Sequence, residues 1–93
     1  MTQEQAVSKA SSSTSYFEIP PDYKFASAKM AIIEVFGDGR PVRDEVAKPG
    51  PVWDRLAWLV TFTFGAWAAE LAVDNQTGSI IRVRRFRGVP IQE

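Results

Sequence analysis

The residues around the dipeptide Gly65-Ala66 constrain the fold more than any other part of the sequence. Between residues 57 and 64, large apolar side chains alternate with other residues, which is the period of a strand with one buried face. A two-residue loop that begins with glycine is typical of a type II′ hairpin turn. If Phe64 pairs with Trp67, every cross-strand pair on the aromatic face is apolar, whereas a shift of one residue would place Glu70 there. The sequence therefore predicts a β-hairpin in one register. The further pairs in that register are Phe62 with Ala69, Val60 with Leu71 and Trp58 with Val73.

A turn and a third strand are predicted after this hairpin. Residues 74–78 have the composition of a turn, and Gly78 can supply a positive φ angle. Residues 79–86 then alternate apolar residues with arginines. The three strands would form an antiparallel meander.

The register of the third strand has two alternatives. In the first, Ile81 and Val83 face the core, and Arg82 and Arg84 lie on the open face beside the second strand. In the second, Ile80 and Phe86 face the core and two arginines become buried, which is costly. The first register is favoured, with a bulge near the preceding turn.

Residues 22–36 are predicted to form a helix that covers the aromatic face of the sheet. Their apolar residues recur at steps of three and four, which is the helical period. The residues of this stripe are Phe25, Ala28, Ile32 and Phe36. Gly37 follows the stripe, where helices commonly end. The competing interpretation is a strand over residues 31–36, because this stretch is rich in β-branched residues.

Residues 1–15 are predicted to be a disordered N-terminal arm, because they are polar, rich in serine and without periodicity. The alternative is a short helix over residues 3–9 that forms only with a partner. Residues 16–19 include three apolar side chains and are predicted to be a short extended segment lying on the domain. Pro20 and Pro21 prevent a helix from running through them.

These elements predict an α+β fold with one helix packed on a three- to four-stranded antiparallel meander sheet, in two layers. Residues 40–51 contain three prolines and are predicted to be a loop with a few strand-like residues. The chain is short enough for a single domain, which we assign to residues 16–93.

Composition excludes several kinds of site. The chain has no cysteine and no histidine, so disulfides, thiolate metal sites and the commonest general base are absent. No catalytic, cofactor-binding or metal-binding residues are predicted, and an enzyme is the least favoured class. The N-terminus lacks the apolar core of a signal peptide, and no apolar run is long enough to span a membrane as a helix. We therefore expect a cytoplasmic protein.

Several of these elements occur in the same order in a known family. The matching stretches are residues 27–36 for the helix, Trp58-Leu59-Val60 for the first strand, and Ala72-Val73-Asp74-Asn75-Gln76-Thr77-Gly78-Ser79-Ile80 for the second hairpin. This arrangement resembles the PepSY domain, and immunity-type proteins of the YrhB kind are similar over the same hairpin. The PepSY resemblance implies an exported or cell-envelope context and a role in binding or inhibiting peptidases.

The arginines of the third strand are the most prominent candidate site. They are Arg82, Arg84, Arg85 and Arg87. Guanidinium groups between apolar residues can bind phosphates or an acidic protein. Alternatively, these arginines protect an edge strand from aggregation, and some pair with acids such as Glu70. Because the net charge of the chain is zero, nucleic-acid binding is the less favoured function.

Three further residues are candidates for a partner surface. Leu59 and Thr61 are predicted on the open face of the sheet, which is more apolar than a solvated face needs to be. Trp53 lies outside the alternating pattern and is predicted at a rim or interface. The other two tryptophans, Trp58 and Trp67, are predicted to be core residues.

The favoured function is a non-catalytic protein-interaction module of a peptidase-inhibitor-like or immunity type, which docks its sheet on another protein or on a homodimer mate. The alternative is a nucleic-acid-associated accessory protein that uses residues 82–87.

Overall fold

The computed structural model describes residues 1–36 and 52–87 of the chain. The elements are α1 (Gln3–Ser13), β1 (Lys24–Phe36), β2 (Val52–Phe64), β3 (Trp67–Asp74) and β4 (Ile80–Arg87). The strands form one antiparallel sheet in the order β1-β2-β3-β4, so each strand lies beside its neighbour in sequence. The predicted α+β class, a helix with an antiparallel meander, is confirmed.

The predicted register of the β2–β3 hairpin is confirmed. Phe64 lies opposite Trp67, and the next apolar pairs follow in the order expected from the alternation. Gly65 has a φ angle of 60°, and Ala66 is not among the residues with positive φ. This combination fits the type II′ turn, since a type I′ turn would require positive φ at both positions.

A β-bulge sets the register of β4. Val73 pairs with Ile80 and Ala72 pairs with Arg82, which leaves Ile81 as the extra residue. The bulge lies near Gly78, as predicted. Because of it, Ile80 and Ile81 pack in two different clusters. Val83 lies opposite Leu71, which belongs to the cluster of Ile80, so the prediction that Ile81 shares a core face with Val83 is wrong.

The helix predicted over residues 22–36 is wrong: this segment is β1. The strand pairs with β2 along its length, with a register shift between Phe25 and Ser27. As a strand, this segment pairs its backbone with β2, which is 13 residues long. Its β-branched side chains also favour a strand over a helix. The stretch 27–36, matched to a helix in the PepSY resemblance, is part of this strand.

The helix instead forms within the segment predicted to be a disordered arm. Thr2 is the N-cap residue of α1, and its side chain accepts a hydrogen bond from the Gln5 backbone N–H. The Gln5 side chain accepts one from the Thr2 N–H in return, which completes a capping box. Ala6 and Ala10, one turn apart, are fully buried against the sheet. Local capping and close packing of alanines therefore order this segment.

The two faces of the sheet contain separate clusters. We call the face that packs against α1 the helix face; its core includes Val60, Phe62 and Leu71. Ile19 is buried in the same cluster, so residues 16–19 lie on the domain as predicted, but they form turns and not the extended segment expected. The opposite face has its own cluster. Its buried members are Ile33, Ala57, Leu59, Ala72 and Ile81.

The loop predicted over residues 40–51 lies outside the described residues. Within residues 1–36 and 52–87, no helix has the length and hydropathy required to cross a membrane.

Candidate protein-interaction surface

The four arginines of β4 are divided between the two faces of the sheet. Arg85 pairs with Ala69 and Arg87 pairs with Trp67, so both lie on the helix face. Arg82 and Arg84 lie on the opposite face, beside Glu70, as predicted. The period of the strand therefore separates the arginines, and they do not form one basic row.

Arg82 is held in place by an ion pair. Its Nη2 atom lies 2.9 Å from Oε1 of Glu70, and the two side chains are 18% and 12% exposed. Glu70 also lies opposite Thr61 on β2, and Thr61 is half-buried. Arg84 places its guanidinium over the ring of Phe86, with 5.7 Å between Cζ and the ring centroid. Arg82 and Glu70 are therefore part of the packing of this face.

Arg85 connects β4 to the segment that follows α1. Its Nη2 atom donates a hydrogen bond to the backbone carbonyl oxygen of Phe17. Phe17 packs against the helix-face cluster. The contact fixes the position of the segment on the helix face.

Arg87 lies at the end of a row of aromatic side chains that crosses the sheet. Its Cζ atom is 5.5 Å from the centroid of Trp67. Trp67 lies opposite Phe64, and the Phe64 ring is 5.8 Å from that of Tyr23, which directly precedes β1. We call Tyr23, Phe64, Trp67 and Arg87 the aromatic row. Phe64 is 51% exposed and Trp67 is 46% exposed.

The length of α1 explains why this row is exposed. A helix of 11 residues is about 16 Å long, whereas a straight strand of 13 residues spans about 40 Å. The helix is therefore shorter than the face on which it packs, and its buried alanines lie in the cluster that contains Val60 and Leu71. Phe64 and Trp67 flank the hairpin loop at the end of the sheet. The prediction that Trp67 is a core residue is therefore wrong, and Phe64, which lies opposite it on the same face, is exposed as well.

The other predicted site residues do not join the row. Leu59 is buried on the opposite face, packed with Ile33 and Ala57, so it is not available to a partner. The reason is that this face buries a cluster of its own. Trp53 lies in β2 opposite Val35, and its side chain is outside the described part of the chain. The sequence does not identify Phe64 and Tyr23 as site residues. Alternation predicts the face on which a residue lies, but it does not predict how much of that face the helix covers.

A polar depression of about 300 Å³ lies beside the β3–β4 turn. Its lining residues are Arg55, Leu56, Asp74, Asn75 and Gln76. The polar groups are bonded to one another: Arg55 pairs with Asp74, and Asp74 accepts the Gln76 N–H at 2.8 Å. These contacts stabilise the turn. Among the residues that the structure describes, no group of three or more His, Cys, Asp or Glu side chains is placed to hold a metal ion.

Comparison of the chain with protein-family models, with curated proteins and with solved structures finds no significant match.

Proposed function

We propose that this chain is a non-catalytic protein-interaction module that binds an acidic, partly apolar segment of another protein through the aromatic row. The observation that supports this is the position of half-exposed Phe64 and Trp67 beside the Arg87 guanidinium. Tryptophan, tyrosine and arginine are the residues that most often dominate the energy of protein interfaces.

The sheet sets the positions of the residues in the aromatic row. Its members lie at the ends of strands or beside them, and Trp67 and Phe64 are held opposite each other by the hairpin register. A partner would therefore meet rings that lose little side-chain entropy on binding. The Arg87 guanidinium lies over the Trp67 ring, so a partner that contacts the ring also meets the positive charge.

The charge of the row favours an acidic partner. Within the described ranges, no carboxylate lies within ion-pair distance of Arg87, whereas Arg82 is paired with Glu70. A partner carboxylate can therefore bind Arg87 without displacing one that belongs to the described residues. Nucleic acid is less favoured, since the net charge is zero and Arg85 is engaged by Phe17.

Two partner classes follow from the sequence resemblances and belong to this proposal. A PepSY-like role makes the partner a peptidase, which the module would inhibit. An immunity-type role makes the partner a toxin in the same cytoplasm. In both cases, the segment recognised would be acidic and would place an apolar side chain against Trp67.

The test is selection from a random peptide library displayed on phage, with the purified chain as bait. We expect the recovered peptides to be rich in Asp or Glu next to large apolar residues. Their affinity for Trp67→Ala and Arg87→Glu should fall about tenfold or more, as for interface hot spots. Lys29→Ala, an exposed change on the opposite face, is the matched control and should bind normally.

A second arm uses a fluorescent single-stranded oligo(dT) as the probe. Tight binding that weakens steeply with salt and is lost in Arg87→Glu would replace the proposal with the nucleic-acid function. Selected peptides that bind Trp67→Ala and Arg87→Glu as tightly as the original chain would also overturn it.

A further inference from the structure

A second part of the helix face is uncovered, at the end of the sheet away from the aromatic row. Met30, Ile32 and Leu56 are 42%, 70% and 44% exposed. Ile32 lies directly opposite Leu56, and Met30 lies opposite Trp58. We call Met30, Ile32 and Leu56 the β1 patch. It continues the helix-face core outward, towards the side of β1 on which no described strand pairs.

This patch lies on a long edge strand. Within the described residues, β1 and β4 are the two edges of the sheet. The edge at β4 contains four arginines, which oppose pairing with another strand. The edge at β1 is 13 residues long and contains no proline, and its exposed side chains include Met30 and Ile32. Such an edge is a template for another strand.

We propose that two copies of this chain form a dimer by antiparallel pairing of their β1 strands, with Ala31 of each copy at the two-fold axis. An axis perpendicular to the sheet keeps the two helix faces on the same side. Met30 of one copy then lies opposite Ile32 of the other, twice. Leu56 of both copies adjoins these pairs, so the two β1 patches form one apolar surface.

Neighbouring registers are less favourable. With Ile32 at the axis, Met30 would lie opposite Glu34 of the second copy. With Met30 at the axis, Ile32 would lie opposite Ala28. The Ala31 register is the one of these three that pairs both large exposed side chains, and it places Lys29 opposite Ile33, away from the second Lys29.

Pairing of β1 with β4 of a second copy is also disfavoured. It would place Arg85 and Arg87 on the same face as the apolar side chains of β1. It would also leave an unpaired edge at each end and so generate an open chain of copies. The symmetric β1 pairing closes after two copies. Its apolar pairs form at the end of the sheet away from Phe64, Trp67 and Arg87.

The first test is the mass of the purified chain in solution, measured by sedimentation over a range of concentrations. We expect twice the chain mass of 10.4 kDa. Ile32→Lys should halve the measured mass. The double variant Met30→Glu with Ile32→Lys should restore the dimer, because each new lysine then faces a glutamate of the second copy. Trp67→Ala is the control and should remain dimeric.

The second test locates the axis. The chain has no cysteine, so a single introduced cysteine can form a disulfide only with a second copy. Ala31→Cys places the two thiols opposite each other, within the Cα distance that a disulfide requires. Lys29→Cys, on the same face, places its two thiols four residues out of register, about 14 Å apart. We expect rapid cross-linking on mild oxidation for Ala31→Cys alone.

Several results would overturn the proposal. They are a monomer at every concentration, a dimer that survives Ile32→Lys or is lost in Trp67→Ala, and equal cross-linking of the two cysteine variants. Circular dichroism of each variant checks that the chain is folded. None of these outcomes depends on the peptide selection, so the dimer and the partner surface can fail separately.

Discussion

Arg55 and Asp74 form an ion pair with 2.6 Å between Nη2 and Oδ2. The Asp74 side chain is 4% exposed and the Arg55 side chain 33% exposed. Asp74 also accepts the backbone N–H of Gln76 through Oδ1, at 2.8 Å. One carboxylate therefore joins β2 to the turn between β3 and β4.

Replacing this carboxylate should destabilise the protein. Asp74→Asn keeps an acceptor for the Gln76 N–H but removes the charge that pairs with Arg55. We expect the free energy of unfolding to fall by about 2 kcal/mol, less than for a fully buried pair because Arg55 is one-third exposed. Urea denaturation measures the change. Asp54→Asn, an exposed change on β2, should alter stability by less than about 0.5 kcal/mol. Equal effects of the two variants would contradict a structural role for the pair.

The pair between Glu70 and Arg82 gives a second prediction. Both side chains are largely buried, and the Arg82 Nε atom has no hydrogen-bond partner. Glu70→Leu should cost about 2–4 kcal/mol, because it leaves a guanidinium without its carboxylate. Adding Arg82→Leu should recover most of this loss, since two leucines bury no charge. Denaturation of the two single variants and the double variant measures the coupling. If the stability loss of the double variant equals the sum of the losses of the two single variants, the pair is not coupled.

The β2–β3 hairpin could be predicted because its information is local. Alternation, a glycine-first loop and the exclusion of Glu70 from the apolar face each select the same register. The β4 bulge was predicted near Gly78, but the division of Ile80 and Ile81 between the faces was not. A bulge changes which residues share a face, and period alone does not show where that change occurs.

The helix could not be located in this way. Its buried residues are Ala6 and Ala10. Because alanine is small and only weakly hydrophobic, these two residues do not produce a clear apolar stripe among their polar neighbours. In β1, apolar residues at steps of three and four happened to match a helical stripe. Pairing with β2 decided the outcome, and that long-range contact has no local signal.

The candidate surface was predicted only in part. The sequence predicts Arg87 as a site residue, whereas it places Trp67 in the core and Phe64 opposite it on the same face. The predicted face of the sheet is correct for Phe64 and Trp67. The missing information was the position and length of α1, since an 11-residue helix cannot reach both ends of the sheet.

Gly65 gives a third prediction, because its φ angle is 60°. A Cβ atom at this position would meet nothing within 4 Å, so the cost of Gly65→Ala is backbone strain alone. We expect a loss of about 1–2 kcal/mol. Ala66→Gly, which changes the other central residue without a demand for positive φ, should cost less. Thermal denaturation of both variants distinguishes them, and an equal or smaller loss for Gly65→Ala would mean that the loop relaxes to another turn.

The last prediction concerns α1, whose packing depends on two alanines. Ala10 is fully buried, so Ala10→Glu introduces a carboxylate at a site that is closed to solvent and occupied by a methyl group. We expect α1 to leave the sheet, which exposes Val60 and Leu71 to solvent. Hydrogen exchange should then show loss of protection for residues 3–13, and binding of a hydrophobic dye should rise.

Two control variants separate packing from helix formation. Ser11→Glu changes an exposed residue of the same helix and should leave the exchange pattern unchanged. Thr2→Ala removes one half of the capping box and should weaken the helix by about 1 kcal/mol without adding a buried charge. Hydrogen-exchange protection of residues 3–13 should therefore be highest in Ser11→Glu, lower in Thr2→Ala and lowest in Ala10→Glu. If Ala10→Glu protected residues 3–13 as well as Ser11→Glu does, the helix would not rest on the sheet through its alanine face.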